Sequence, residues 1–404
     1  MSKSRIVSVI TALVAAILVA TPTSYADQGD ARSAQHRGQP VTVMTRNLYL
    51  GADIERPVKA AVGAMLAGGT QQDVLLALAH ANHVTRAIVD QTDFTVRAQL
   101  LAKEIADTQP DLVGLQEVAW WRHGPLQLDQ VGVPNAASTD YDFLALLLDA
   151  LEAQGQHYSP VAYGRRADVE APSFTGSPFD GTISDDARDV RLTMRDVVLR
   201  RVGSGLAVYN KGDHVYSHNL VIPLLGRTIS FDRGYQWLDV RTATTSFRFV
   251  NTHLEAFSSN LALAQATELL AGAPAHRRPT VFVCDCNSDP LNSSIKTDIG
   301  DTQPHNAPYN LITGDGGFTD EWLRWAPAEQ GWTSGLSETV DDPTAAGFDH
   351  RIDMVFGRTR AGGTGLRVVR GEVTGTDLAD RDPATGLWPS DHGGVVMTVR
   401  VPRS

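Results

Sequence analysis

The sequence predicts an α/β protein built from two packed sheets covered by helices. Three observations carry this: many short apolar runs of strand length are interspersed with segments at helical spacing, no repeat of fixed period occurs, and only two cysteines are found in 404 residues. The last leaves the fold to a hydrophobic core rather than to a disulfide framework. Val41 to Leu48 alternates apolar and polar residues as a strand does and is ended by Tyr49-Leu50-Gly51. From Ile54 to about Asp90, Ala, Leu and Val recur at helical spacing around a break at Gly68-Gly69, which predicts two helices. A third helix spans Phe94 to Asp107 before Pro110. Asp111 to Val118 is a continuous apolar run ending in Gln116-Glu117, the pattern of a buried strand that delivers its last side chains to a rim.

Tyr141 to Gln154 and Asn260 to Ala271 read as helices, and the polar stretch Gly164 to Asp189 reads as a long loop. Strands are expected at Val190 to Leu199, Gly205 to Asn210, Thr228 to Asp232, Trp237 to Ala243, Ser246 to Leu254, Thr280 to Cys286, Arg351 to Phe356, Leu366 to Val373 and Gly394 to Val401. Cys284 and Cys286 fall on one face of the Thr280 strand. A bridge between strand residues two apart would distort an extended chain, so two buried thiols are expected.

The N-terminus carries an export pattern: Lys3 and Arg5, an apolar run from Ile6 to Ala20, and Ser24-Tyr25-Ala26 as a small-x-small cleavage site. That run is shorter than the ~20 apolar residues of a spanning helix. The expected organisation is a signal peptide over residues 1 to 26, a disordered leader over 27 to 40, and one catalytic domain over 41 to 404 with a helical insertion at about 52 to 92. Residues 1 to 26 hold two cations and no acid, so their removal takes the formal charge from −11 to about −13. Such a chain has no general attraction for nucleic acid or anionic membrane.

Strand ends also carry chemistry. Alternation aims Asp285 and Asn287 the same way, and places Asn251 and His253 on one line with Phe247 and Phe249. Glu117 ends one apolar run, Ser390-Asp391-His392 precedes another, and Asn47 ends the first strand. Acids supply hard oxygen ligands, histidines change charge near neutral pH, and asparagines donate to an anionic transition state. This set suits attack of water on a phosphoric ester. The order strand-Asn, Gln-Glu, Asn-x-His-Leu, Asp-x-Asn, Arg-Ile-Asp, Ser-Asp-His resembles the endonuclease/exonuclease/phosphatase superfamily, over about Val41 to Val401.

The resemblance implies a DNase I-like fold, a four-layer α-β-β-α sandwich of two mixed sheets flanked by helices. It implies a Mg²⁺ ion, with Mn²⁺ or Ca²⁺ as alternatives, held by Glu117, Asn47 and Asp391. It further implies Asp285 as the group that orients and deprotonates water, Asn287 and Asn251 as donors to the phosphoryl oxygens, His392 as phosphate contact or acid-base group oriented by Asp353, and His253 as a group that stabilises the transition state or protonates the leaving oxygen. Two departures stand out: the usual Gly-Asp-Phe-Asn is Cys-Asp-Cys-Asn here, and the helical stretch between Asn47 and Gln116 is longer than the core needs and reads as a cap.

Trp120-Trp121-Arg122 follows the Gln-Glu strand and is expected at the rim, where it would bind substrate by stacking, by cation-π contact with a choline headgroup or by entering a lipid interface. Export, acidic charge and this rim favour a secreted phosphodiesterase acting on a phospholipid headgroup, of sphingomyelinase or phospholipase C type, with peripheral membrane contact and no obligate protein partner. A secreted nuclease acting on nucleic acid is the alternative, weakened by the missing basic stripe, and a phosphomonoesterase is third. A non-catalytic binding protein would not be expected to keep Asp285, His392 and Glu117 together.

Overall fold

The computed structural model describes residues 38–275, 278–360 and 363–402; the expected signal peptide and nearly all of the leader lie outside the described residues. In chain order the strands are β1 (Gln39–Asn47), β2 (Leu112–Gln116), β3 (Trp120–Pro125), β4 (Ser138–Asp142), β5 (Tyr158–Ser173), β6 (Arg188–Arg201), β7 (Ala207–Val215), β8 (Leu220–Leu224), β9 (Arg227–Phe231), β10 (Gly234–Arg241), β11 (Ser246–His253), β12 (Thr280–Asp285), β13 (Thr319–Asp320), β14 (Asp353–Arg358), β15 (Arg367–Thr374) and β16 (Gly394–Val401). The helices are α1 (Glu55–Leu66), α2 (Gln71–Gln91), α3 (Phe94–Thr108), α4 (Phe143–Ala153), α5 (Ser259–Ala271), α6 (Ala307–Thr313) and α7 (Glu321–Trp325). No described helix is long and apolar enough to cross a membrane.

Two mixed sheets result. One runs β15-β16-β1-β2-β6-β3-β4, with β5 also paired to β6; the other runs β13-β14-β12-β11-β10-β7. The β8-β9 hairpin stands apart from both. Strand alternation sorts side chains into layers. Val41 and Val43 of β1, Phe247 and Phe249 of β11, and Val281 and Val283 of β12 fill the core between the sheets. Met44 and Val113 face α3 and α4, where Phe94 stacks on Phe143 with ring centroids 3.5 Å apart. Phe282 and Cys284 face the opposite way, against Ala262, Ala266 and Ile312 of α5 and α6. The chain therefore has the α-β-β-α layering expected of it.

Continuing each inter-sheet line to its end places polar side chains where the apolar ones stop: Asn47 after Val43, Asn251 and His253 after Phe249, Asp285 after Val283, all buried. The fold thus converges these ends in the crevice between the two sheets.

Several expectations need correction. The stretch read as a loop from Gly164 is strand up to Ser173, paired antiparallel with β6. It looked polar because its charges are satisfied across the strands: Arg166 binds Asp196, and Asp168 binds Arg191. The Trp120 segment is itself a strand between β6 and β4. The insertion forms α1 and α2 as expected, with Thr70 and Asp73 making a capping box at the start of α2. These helices pack on β5 and the hairpin, where Ala61, Val74 and Leu78 meet Leu224 and Asn82 Nδ2 donates to Ala171 O and Pro172 O.

The two cysteines are also not thiols. Cys284 and Cys286 form a disulfide. In an extended strand their Cα atoms would lie roughly 6.6 Å apart, but β12 ends at Asp285 and the chain bends, so they are 5.1 Å apart, within disulfide range.

Gly114 marks a close approach of the two sheets. A Cβ there would lie 2.5 Å from both Asn251 Oδ1 and Val283 Cγ2. Gly114→Ala should lower unfolding stability by about 1–3 kcal/mol, the usual cost of overpacking a filled core. Denaturant titration checks this, and an unchanged midpoint would mean that the sheets separate freely at this level.

Candidate active site

Asp285 is the centre of the crevice. Its Oδ2 accepts from Asn47 Nδ2 at 2.9 Å and lies 3.4 Å from His253 Nε2 and 3.9 Å from His392 Nε2. Burial pushes its carboxyl up to about 7, repulsion from Asp353 and Glu117 adds to this, and His392 and the Asn47 hydrogen bond oppose it. Asp285 and His253 come from the second sheet, whereas Asn47, Glu117, Asp391 and His392 come from the first.

His392 Nδ1 meets Asp353 Oδ2 at 2.8 Å. Burial alone would lower this imidazole's pKa, but Asp353, Asp391 and Asp285 outweigh it and raise it well above the usual value. The ring is therefore an imidazolium at neutral pH, with Nε2–H turned toward Asp285 and Asp391. Thr333 Oγ1 accepts from the Ile352 and Asp353 N–H groups, and Ser390 Oγ donates to Asn47 O, so both ends of this pair are tied down.

Glu117 follows β2 with a left-handed backbone, φ 54. A non-glycine residue in that region carries strain that its surroundings must hold. Here Glu117 Oε2 accepts from Leu50 N–H, and Val118 N–H donates to Arg195 O. Asn47 Oδ1 accepts from Tyr49 N–H, whose residue is also left-handed at φ 57. Asp391 is pushed up to about 6 by burial, with His392 opposing and the Glu117 carboxylate adding.

Like charges thus meet at the crevice, with Asp353 and Glu117 raising the pKa of both Asp285 and Asp391, and Asp353 Oδ1 has no hydrogen-bond partner. An excess of buried negative charge fits a divalent cation. Asp285, Asp353 and His392 present ligand atoms within 4.8 Å of one another. Within that trio His392 Nδ1 is already engaged by Asp353 Oδ2 at 2.8 Å.

Other expected residues stand elsewhere. Asn251 is not free to donate to a phosphoryl oxygen: its Nδ2 hydrogens go to Gln236 Oε1 at 2.9 Å and Leu115 O at 3.2 Å, and its Oδ1 accepts from Gln116 Nε2 at 2.7 Å. It links the sheets beneath the site. Asn287, left-handed at φ 44, uses one Nδ2 hydrogen on Leu254 O and retains the other. Trp121 does not face the rim. It is 3% exposed in the helix-facing core, and its Nε1 donates to Leu50 O. Arg122 is buried over the Trp120 ring, 4.0 Å from guanidinium to centroid, and bonded to Thr193. Of the three, only Trp120 is half-exposed.

The sequence reading missed Arg233. This buried guanidinium donates to His253, 2.8 Å from Nδ1, and lies 3.7 Å from Glu255. Burial first, then Arg233 and His392, lower the His253 pKa well below its usual value, so His253 is neutral. The same Arg233 Nη1 also lies 3.1 Å from His253 Nε2, and that Nε2 is 3.4 Å from Asp285 Oδ2. The one available signal was its place just before the strand that pairs with the Asn-Thr-His strand.

Asp353→Asn should cost less activity than His392→Ala, for which about 10²-fold or more is expected. It should be nearly silent in a His392→Ala background, because Asp353 acts by orienting that ring. Steady-state rates for the double-mutant cycle check this, and additive losses would contradict the coupling.

The sequence matches no protein-family model and no curated protein. Among solved structures the chain is similar to an endonuclease/exonuclease/phosphatase family protein from Bacteroides thetaiotaomicron, at TM-score 0.48 and 15% identity over 90% of this chain and 98% of that one. It is similar to a mannosyl-6-phosphatase from Bacteroides thetaiotaomicron VPI-5482, at 0.47 and 18% over 89% and 99%. It is also similar to the human Nocturnin catalytic domain solved with bound sulfate, at 0.44 and 14% over 89% and 93%. At these identities the likeness is one of backbone course. The chain has the four-layer sandwich of two mixed sheets that its ordered motifs imply.

Proposed function

We propose that the chain is a divalent-metal-dependent hydrolase of phosphoric esters that directs water onto a phosphodiester. The observation that carries this reading is the setting of Asp285: a buried carboxylate with a pKa near 7, between a protonated His392 and a neutral His253 and coupled to Glu117. Such a group takes a proton from water near neutral pH. His392 anchors a phosphoryl oxygen or protonates the leaving oxygen, held in place by Asp353. His253 and the free Asn287 hydrogen donate toward charge that develops in the transition state. A cation held by Glu117, Asn47 and Asp391 would supply charge neutralisation at the phosphate, and Mg²⁺ suits so sparse an oxygen set.

For the ester itself a phospholipid headgroup is favoured, hydrolysed outside the cell after removal of the N-terminal signal. The acidic charge supports this reading, and so does an apolar groove of about 240 Å³ that includes Ile54, Leu220, Ile222, Phe231, Phe257 and Ile299 in its lining. Phe231 stands two residues from Arg233, and Phe257 two from Glu255. Trp121, being core, lends it no support.

Exhaustive chelation should abolish turnover and added Mg²⁺ restore it, while Glu117→Gln should shift the metal titration to higher concentration. Full activity after chelation would sink the assignment. A panel of sphingomyelin and phosphatidylcholine vesicles, plasmid DNA, RNA, a bis-aryl phosphate and a phosphomonoester then separates the substrate readings, with fastest turnover expected on vesicles.

The pH profile gives an independent check. Asp285 must be ionised to accept a proton, and its folded pKa is raised to about 7 from 3.8. Activity should therefore rise as pH increases through the acid limb. A bound cation favours the ionised form and moves that limb below the metal-free value. Rates from pH 5 to 9 at two Mg²⁺ concentrations measure this; a limb that moves upward as Mg²⁺ increases would contradict the base assignment.

A further inference from the structure

We infer that the Cys284–Cys286 disulfide is a positioning device for the proposed hydrolysis: it holds the chain bend that presents Asp285 and Asn287 to the phosphate. The inference rests on the reading of Asp285 as base, and its observations are local. The bridge spans Asp285 itself, on the strand face opposite to the carboxylate, and draws the flanking Cα atoms to 5.1 Å. Both sulfur residues are fully buried against Phe282, Ile312 and Met354.

Four hydrogen bonds fix the bend on the crevice side. Asn287 N–H donates to Asp285 Oδ1 at 3.0 Å, and Asn287 Nδ2 to Leu254 O at 3.0 Å. Cys286 N–H donates to Ile352 O at 2.8 Å, and Leu254 N–H to Asp285 O at 3.1 Å. Asn287 is thereby left-handed, a conformation that asparagine tolerates but extended β12 does not contain. Without the bridge the chain can relax toward an extended end, which lengthens the Asp285 to Asn287 span and turns the carboxylate from Asn47. Misplacement by about 1 Å of a reacting group costs on the order of 10²-fold in rate. A loop this short gains little global stability from closure, so the effect of the bridge is local.

The test compares wild type, Cys284→Ala, Cys286→Ala and the double variant, all as mature chain with Mg²⁺. Each change breaks the same bond, so all three variants should lose about tenfold to a hundredfold in kcat by equal amounts, with the thermal midpoint nearly kept. Wild type unfolded and refolded in excess dithiothreitol, which is oxidised to its cyclic disulfide as the bridge becomes two thiols, should match them. Oxidation should restore it, and the double variant should be insensitive to both treatments. Amide hydrogen exchange at Asn287 and at the preceding residue reads the bend without any substrate and should quicken at least about tenfold in every unbridged form. Unchanged exchange overturns the inference whether or not the protein hydrolyses phosphodiesters. Wild-type kcat in the double variant overturns it while leaving the hydrolase reading intact. Inactive oxidised wild type with quickened exchange in the unbridged forms upholds the bend-holding role and condemns the hydrolase reading alone.

Discussion

One buried guanidinium holds the first sheet's half of the site together. Arg97 on α3 is fully enclosed and donates to four main-chain carbonyls, those of Thr92, Leu48, Tyr49 and Pro389. Two of these belong to the turn after Asn47 and one to the turn that carries Asp391 and His392. Its charge is only partly offset, and burial lowers its pKa to about 10, which still leaves it a cation. The uncancelled charge lies close enough to Asp391 to favour that carboxylate's ionised form. A second link runs beside it, where Arg46 pairs with Glu104 of α3 at 2.7 Å and also donates to His392 O. Strained Tyr49 and Glu117 persist because these bonds over-determine the turns around them.

Given those anchors, the acid-base chemistry arises at the gap between the sheets. His392 from the first sheet meets Asp353 from the second, and Asn47 from the first meets Asp285 from the second. Each pair is a hydrogen bond across the gap, so neither sheet alone contains a working site. The electrostatics follow from placement: Asp353, Asp391 and Asp285 hold the His392 pKa up, while burial and then Arg233 hold that of His253 down.

Much of this was legible in the sequence because strand alternation is a strict rule. Once Phe247 and Phe249 were read as one line of a strand, Asn251 and His253 that extend it were fixed to the same face. What alternation cannot show is how a side chain's hydrogen bonds are spent. Asn251 lay on the right line, yet its amide is consumed by Gln236, Leu115 and Gln116. Trp121 and Arg122 were placed at a rim because the strand β3 they form, paired on both edges and buried on both faces here, was not recognised. β5 was hidden because cross-strand ion pairs let a buried edge look polar. The cysteines were misread for a related reason: the argument against a bridge assumed an extended chain, and the chain bends where they sit.

The amide contacts beneath the crevice have a broader consequence. Gln116, Asn251 and Gln236 form a ladder from one sheet to the other, at the level where Gly114 lets the sheets touch. The crevice is therefore sensitive to the separation of the two sheets. Apolar residues between the sheets, such as Val283 and Phe249, set the distance across the gap. Substrate preference in such a scaffold is free to diverge through the hairpin and the α1-α2 layer, while the spacing of the catalytic pairs stays locked by a few amides far from any substrate.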